Sequence, residues 1–255
     1  MVSDSVTVEI TAGIAEVVLN RPEARNAIDL HTCHLLRDAF DKLGNDPTVR
    51  VVLVAGNGPS FCAGADLKER KGKDAAWVRR RRVASFAAYA AIESCTQPVV
   101  ALVHGNVVGS GGEISMACDF IIGATNTTFQ FPEAHWGTVG ATQRLQRVIG
   151  KRRAKELLFT NRALEADEAE RLGLLIRTVE PEDLRTTGHS IAKSIAAAPP
   201  LAMSLTKRSI DLGSETDLDR GIRIEMAAIE QNLADGGWKD GVDRFMATHN
   251  ERTTR

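Results

Sequence analysis

Two glutamates near the middle of the chain have the surroundings that acid–base chemistry requires. Glu113 follows a glycine-rich stretch at residues 109–112, and Glu133 lies twenty residues later among phenylalanine, proline and tryptophan. A carboxylate in such apolar company is paired, lies at a helix start, or is kept for proton transfer. Two of them can hold a water and divide the acid and base roles, because burial raises one pKa while hydrogen bonds lower the other. A glycosidase could use a similar pair, but three Trp and one Tyr offer few platforms for a sugar, so we rank acyl chemistry first.

Two segments of small residues could bring main-chain N–H groups to a ligand. The first is the loop at residues 56–67, in which Ala63, Gly64 and Ala65 would let a carbonyl or a nucleotide approach the backbone closely. A plain turn between a strand and a helix explains its composition equally well. The second is the glycine-rich stretch at 109–112, which opens a short helix whose free N–H groups suit a developing negative charge.

The elements that would position these residues alternate between strands and helices. Residues 6–10 and 14–19 indicate a hairpin around Ala12-Gly13, and later apolar, β-branched runs indicate buried strands. Apolar residues at helical spacing lie between them. The alternation predicts an α/β fold of stacked strand and helix layers. The later strands are predicted at 51–55, 99–103 and 119–124, and the helices at 30–43, at 75–94 and, for a short one, after 109.

The chain becomes mainly helical after Gly150. Only residues 175–179 still resemble a strand, and Pro199-Pro200 separates the last helices because proline removes a donor and restricts the preceding residue. We therefore expect a core at residues 1–198 and a helical C-terminal region at 199–255. A tail of about 55 residues is too small for a generous core of its own, so it is expected to pack on the core or on another subunit. The helices are predicted at 152–160, 166–172, 182–197, 201–212 and 218–234.

Composition restricts the class of protein. The chain has 255 residues, of which 25% are charged, and a net charge of −1, as expected of a globular protein. Its apolar runs are far shorter than the ~20 residues of a membrane-spanning helix, and the first residues carry no export signal. Four cysteines without C-x-x-C spacing predict free thiols in a reducing compartment and no metal site. We expect a cytoplasmic protein that does not bind a membrane.

The strongest basic cluster is Arg79 to Arg82, with further lysines and arginines just upstream. Such a run is typical of a solvated helix face. It could also bind nucleic acid, but the charge of the remaining chain is balanced and the segment has few aromatic residues for base stacking. We therefore rank the solvated face first and keep an RNA-binding protein as the alternative from another class.

Several motifs occur in the order and spacing of one known family. They are Asn20-Arg21-Pro22, Asn26-Ala27, residues 49–53, residues 61–67, residues 109–119, residues 129–133, Thr142-Gln143-Arg144-Leu145 and residues 169–174. Through them the chain resembles the enoyl-coenzyme A hydratase/isomerase, or crotonase, superfamily over most of residues 8–250. The resemblance implies a crotonase-like spiral of ββα units with a helical C-terminal region used in trimer formation, commonly with two trimers stacked into a hexamer.

The resemblance also implies a reaction. Family members polarise the carbonyl of an acyl-CoA thioester with two backbone N–H groups, which by position would be those of Ala63 and Gly111. Glu113 and Glu133 align with the two catalytic glutamates of the hydratase branch, which add a water across the 2,3 double bond of an enoyl-CoA. Other branches often lack one of the pair, so the resemblance favours a hydratase. Isomerisation or another acyl-CoA lyase reaction in the same site is the alternative.

Coenzyme A would be bound as part of the substrate, and no separate cofactor is expected. By resemblance, Ala65 with Asp66 would lie near the nucleotide, and Arg25 and Lys68 are candidates for its phosphates. Phe245 resembles an aromatic residue that meets the nucleotide from a neighbouring subunit.

The segment after Glu133 departs from the family pattern. It is about three residues shorter than usual, and shortening a loop beside the acyl pocket can move a catalytic group. Trp136 and Gly137 are candidates for the acyl pocket, and His135 and Trp136 would fill pocket volume and so favour an atypical acyl group. Alternatively, Trp136 is a core residue and His135 a surface residue.

Overall fold

The computed structural model describes residues 5–239, 241–243 and 246, and a sheet of six strands forms its centre. The strands in this part of the chain are β1 (Val6–Thr11), β2 (Ile14–Leu19), β3 (Val51–Gly56), β4 (Val99–Val103), β5 (Asn106–Val108), β6 (Phe120–Ala124), β7 (Thr128–Gln130), β8 (Leu164–Glu165) and β9 (Arg177–Val179). The central sheet has the order β1-β2-β3-β4-β6-β9, and β5, β7 and β8 form a smaller second sheet.

The predicted hairpin is confirmed. β1 and β2 pair antiparallel, with Val8 opposite Val17, and Ala12 and Gly13 both have positive φ, of 51° and 80°. A two-residue turn with positive φ at both positions matches the twist of the strands that it joins.

From β2 onward the central sheet is parallel. β3 and β4 are buried at every position, which explains their continuous apolar sequences. In the second sheet β5 and β7 are parallel, and β7 and β8 are antiparallel.

Aspartate side chains cap the starts of the helices at residues 30–43 and 75–93. Asp29 accepts a hydrogen bond from the Thr32 N–H at 2.7 Å, and Asp74 accepts one from the Trp77 N–H at 2.7 Å. The helices are α1 (Leu30–Leu43), α2 (Leu67–Arg70), α3 (Ala75–Glu93), α4 (Ser110–Met116), α5 (Arg144–Ile149), α6 (Lys151–Thr160), α7 (Ala166–Arg171), α8 (Leu184–Ala196), α9 (Pro200–Ser214) and α10 (Leu218–Asp235).

The central sheet has an apolar cluster on each face. Alternate residues of β3 and β4 point to opposite faces, so Val52 and Val54 join one cluster while Leu53 and Ala55 join the other. The second cluster is closed by α8, where a Cβ at Gly188 would lie 2.5 Å from Leu102 Cδ1. A glycine is therefore required for α8 to approach β4 so closely.

The C-terminal helices follow Pro199. Lys207 on α9 forms an ion pair with Asp119 at 3.1 Å and donates to the Gln97 carbonyl at 3.3 Å, which attaches α9 to the core. The division at residue 198 stays a prediction. No helix of the described residues is long and apolar enough to cross a bilayer.

The errors in the predicted elements are short and local. The strand expected at 175–179 begins at Arg177, and the helix expected from 182 begins as a 3-10 turn at Pro181–Asp183. Some short elements have no counterpart among the predicted ones, because two to six residues carry too little periodicity. They are α2, β5, β7, α5 and β8.

Replacing Leu102 with Ala should lower the free energy of unfolding by about 2–5 kcal/mol, because it leaves a cavity between β4 and α8. Urea unfolding at one fixed protein concentration measures the change. Val83→Ala, at a position that is 64% exposed, is the control and should change stability by no more than about 0.5 kcal/mol. Equal losses in both variants would contradict the packing described here.

Candidate active site

A cavity of about 510 Å³ opens between α3 and two loops. Its walls come from residues 63–67, the start of α4, one side of α3 and the segment 132–140. Glu113 and Glu133 both line it, as do Ala63 and Ala65. The tertiary structure thus brings the two predicted glutamates and the small-residue loop together.

Glu113 is the fourth residue of α4 and is 6% exposed, and both of its carboxylate oxygens accept hydrogen bonds. Its Oε1 accepts a hydrogen bond from the Ala141 N–H at 2.8 Å, and its Oε2 accepts one from Arg144 at 2.8 Å. Arg144 also binds Glu93 through two contacts, of 2.6 and 2.8 Å. Each Glu113 oxygen keeps a second lone pair with which it can accept a further hydrogen bond.

Glu133 has a different environment. Its Oε2 is buried and has no hydrogen-bond partner within the described residues. Burial is the main cause that raises the pKa of Glu133, and the nearby Glu113 adds to it, while Arg82 acts in the opposite direction. Glu113 is therefore ion-paired, whereas Glu133 is desolvated. Such a difference in environment lets one of two neighbouring carboxyl groups act as a base and the other as an acid.

Two glycines make room for the Glu133 side chain. A Cβ at Gly140 would lie 2.7 Å from Glu133 Cγ, and a Cβ at Gly109 would lie 2.8 Å from Glu133 Oε1. Gly109 also has a φ of +47°, which L side chains rarely adopt. Glu133 can therefore lie against the start of α4 only while both positions lack a side chain.

The shortened segment after Glu133 is held at both sides. Arg82 on α3 donates to the Val139 carbonyl at 2.9 Å and to the Thr138 hydroxyl at 2.6 Å. His135 bonds the Phe159 carbonyl through Nε2 at 2.8 Å. These contacts position Glu133 from two directions.

Trp136 is 72% exposed and lines the cavity. The interpretation of Trp136 as a core residue is therefore wrong, whereas His135 is at the surface. Gly137 is not among the residues that line the cavity, so the structure brings only Trp136 of this predicted pair to the site.

The Ala63 N–H is committed within the chain. It donates to the Arg25 carbonyl at 2.9 Å, so it is not available to a carbonyl oxygen of a ligand. The prediction that this N–H binds the substrate is wrong for this reason. Ala65 differs, because the parallel bridge beside it uses the Gly64 carbonyl and the Asp66 N–H and leaves the Ala65 N–H unpaired within the described chain.

The first N–H groups of α4 have no intrahelical acceptor, as at every helix start. Gly111 is one of them, but it is buried against the other loop, where its Cβ would lie 2.6 Å from the Cys62 carbonyl oxygen. Ser110, one residue earlier, lines the cavity and Gly111 does not.

Family comparison agrees with this geometry. The family model described as "Enoyl-CoA hydratase/isomerase" matches residues 9–252. The chain belongs to the enoyl-CoA hydratase/isomerase family. It is 35% identical over 250 residues to a crotonyl-CoA hydratase of Syntrophomonas wolfei, with 96% of each chain covered. It is 34% identical to a short-chain-enoyl-CoA hydratase of Clostridium acetobutylicum, with 95% of each covered.

A solved enoyl-CoA hydratase from Bacillus anthracis has the same fold. It superposes with a TM-score of 0.93 at 33% identity and covers 96% of each chain. The comparisons confirm the predicted family and fold, and they confirm an enzyme of the hydratase class.

The residues predicted to bind coenzyme A are only partly gathered at the cavity of this family member. Ala65 lines it, whereas Arg25 and Lys68 are exposed and lie outside its lining. Asp66 caps α2 by accepting from the Lys68 N–H at 3.0 Å and pairs with Arg21 at 3.1 Å, so it has a structural role. Phe245 lies outside the described residues.

The basic cluster is not a uniformly solvated face. Arg81 is 3% exposed and bonds Glu69, Ser85 and the Ile28 carbonyl, and Arg82 binds the segment after Glu133. Only Arg79 and Arg80 are exposed. The prediction of a solvated face is therefore wrong for Arg81, and this arginine is not available to RNA either.

Cys62 lies beside the cavity but is fully buried, and burial raises the pKa of its thiol to about 12. Cys62 is therefore a structural residue and not a nucleophile, because the thiolate is the nucleophilic form.

Sequence reasoning missed three contributors to the site. In the sequence Arg144 belongs only to a motif, Arg82 to a run of basic residues, and Ser110 to the glycine-rich stretch. A buried Glu113 needs a cationic partner, and this is the one signal that the sequence offers. It does not identify which arginine is that partner.

Gly140→Ala should slow turnover of an enoyl-CoA thioester about a hundredfold, because it would displace Glu133 and a misplacement of roughly 1 Å costs that much. The rate is measured by loss of enoyl thioester absorbance, with the thermal unfolding temperature recorded beside it.

Gly137→Ala is the matched control in the same segment. Gly137 has a φ of +68° and nothing within 4 Å of its Cβ position, so the variant strains the loop without touching Glu133. Equal loss of rate in the two variants would show that loop strain, and not the space for Glu133, is what matters.

Proposed function

We propose that the protein catalyses reversible addition of water across the 2,3 double bond of an enoyl-CoA, giving a 3-hydroxyacyl-CoA. The observation that carries this proposal is the pair of glutamates in one cavity, one ion-paired and one desolvated. Relatives named crotonyl-CoA hydratase and short-chain-enoyl-CoA hydratase support the same reaction.

The thioester oxygen is bound by the N–H groups of Ala65 and Ser110. Both residues line the cavity, and neither N–H has an acceptor in the described chain. Donors fixed in place stabilise the enolate oxygen more than the ground-state carbonyl, so they lower the barrier. This pair replaces the predicted Ala63 and Gly111.

The two glutamates then handle the protons of one water. The water oxygen bonds to C3 and its proton passes to Glu113, while the electron pair of the double bond moves into the enolate. Glu133, whose pKa is raised by burial, gives its proton to C2 as the enolate collapses. One water has been added, and transfer of the proton from Glu113 back to Glu133 through solvent restores the starting state.

The proposal also covers the oligomeric assembly, the cellular compartment and the residues that contact the nucleotide of coenzyme A. Leu218, Ile222, Met226 and Ile229 leave an apolar stripe exposed on α10, which supports a subunit interface in a homotrimer or hexamer. The four free cysteines favour the cytoplasm. Arg25 and Lys68 remain proposed contacts for the coenzyme A phosphates.

Glu113→Gln and Glu133→Gln should each lower kcat with crotonyl-CoA by about 10²- to 10⁴-fold, because each removes a group that transfers a proton. Absorbance gives the rate, and mass spectrometry of the wild-type product checks that one water has been added, which isomerisation would not do. Glu165→Gln, at an exposed position on β8, is the control. Rates like those of the wild type in both site variants would refute the assignment.

Ser110→Pro should lower kcat about 10²- to 10³-fold, because it removes one N–H from the thioester oxygen. Proline is well tolerated at the first position of a helix, which Ser110 occupies in α4, so the fold should persist. Ser110→Ala keeps the N–H and loses only the hydroxyl, and it should stay within a few-fold of the wild type. If both variants behave alike, the Ser110 N–H is not a donor to the substrate.

A further inference from the structure

The cavity carries an excess of positive charge. Arg81 is paired with Glu69 at 2.9 Å, and Glu113 is paired at 2.8 Å with Arg144, which it shares with Glu93 outside the cavity lining. Of the remaining charged groups, only Glu133 is acidic. The charged side chains that line the cavity are Arg70, Lys71, Arg81, Arg82, Glu113 and Glu133.

Arg70 has a guanidinium without a partner. It is the last residue of α2, is half-buried, and its side chain makes no hydrogen bond or ion pair with any residue that the structure describes. Burial lowers the pKa of Arg70, the nearby Arg82 and Arg81 add to this, and Glu69 acts in the opposite direction. Arg70, Lys71 and Arg82 form no ion pair with any described residue, so an anion placed near them at this wall would be stabilised.

Arg82 indicates which part of the substrate would meet this charge. Its hydrogen bonds to Thr138 and Val139 lie in the segment that carries Glu133. In the proposed reaction Glu133 faces C2 of the acyl group, so this segment borders the acyl chain. The candidates for the nucleotide phosphates, Arg25 and Lys68, do not line the cavity.

We propose that the preferred acyl group ends in a carboxylate, which Arg70 binds while Lys71 and Arg82 add favourable charge. The inference rests on the proposed function, because it describes the acyl part of the same substrate. The planar guanidinium fork matches a carboxylate and can bind both of its oxygens. Leu67, Phe86 and Trp136 also line the cavity and give the intervening methylene groups an apolar surface.

The phosphates of coenzyme A are the other anions that such a substrate carries. They are common to every acyl-CoA, whereas a terminal carboxylate is not. Comparing two thioesters that differ only in that carboxylate therefore separates the two sources.

The experiment uses butyryl-CoA and glutaryl-CoA, which is butyryl-CoA with a carboxylate added at its end. Both are saturated at C2 and C3, so neither can be hydrated and calorimetry reports binding alone. We expect the wild-type protein to bind glutaryl-CoA at least about tenfold more tightly than butyryl-CoA. In Arg70→Met the ratio of the two affinities should fall about 10- to 100-fold, as for loss of a hydrogen-bonded charge pair.

Arg79→Met is the matched control. Arg79 is exposed on α3 and does not line the cavity, so the same substitution there should leave the ratio of affinities unchanged. Arg70→Lys keeps the charge without the planar fork and should restore part of the preference.

Two results would overturn the inference. One is a wild-type protein that binds butyryl-CoA as tightly as glutaryl-CoA. The other is an Arg70→Met variant that binds both more weakly by the same factor, which would assign Arg70 to the coenzyme A phosphates. The proposed function is tested separately, by hydration of crotonyl-CoA and of its 4-carboxy derivative. If neither is hydrated, the proposed function fails, whatever the two binding affinities are.

Discussion

A buried carboxylate must be paired, and much of the site follows from how Glu113 meets that requirement. Leaving such a charge without its partner costs about 3–5 kcal/mol. Arg144 supplies the countercharge from the start of α5, and the Ala141 N–H supplies a second hydrogen bond. Both partners lie just beyond the segment that carries Glu133, so the pairing of one glutamate fixes the end of the loop that positions the other.

The two glutamates differ because their neighbours differ. Glu113 meets a guanidinium and a backbone N–H, while Glu133 lies in a slot between Gly109 and Gly140 that desolvates it. Arg82 holds the segment after Glu133 and also opposes the rise in the pKa of Glu133. The shorter segment is thus fixed on two sides. Arg82 holds it to α3, and His135 bonds the Phe159 carbonyl near the end of α6.

Arginines have three distinct roles around this cavity. Arg81 is buried and ties α3 to α2 through Glu69 and to the segment before α1 through the Ile28 carbonyl, and Ile28 in turn bridges Ala65. Arg82 binds the Glu133 segment, and Arg70 is left without a partner in the described chain. The basic residues look like one charged surface in the sequence. In the folded protein some of them hold the structure together and others line the cavity.

The sequence by itself determined the strands of the central sheet, the longer helices, the family and the two glutamates, because periodicity, capping residues and motif spacing are local properties. Tertiary structure alone decided which backbone N–H groups are free. Ala63 and Ala65 look equivalent in a run of small residues, yet the Ala63 N–H is bonded to Arg25 and the Ala65 N–H is not. It likewise decided that Arg144 pairs with Glu113 and that Trp136 lies at the cavity. Hydrogen-bond partners and burial depend on residues distant in the chain, and no local pattern encodes them.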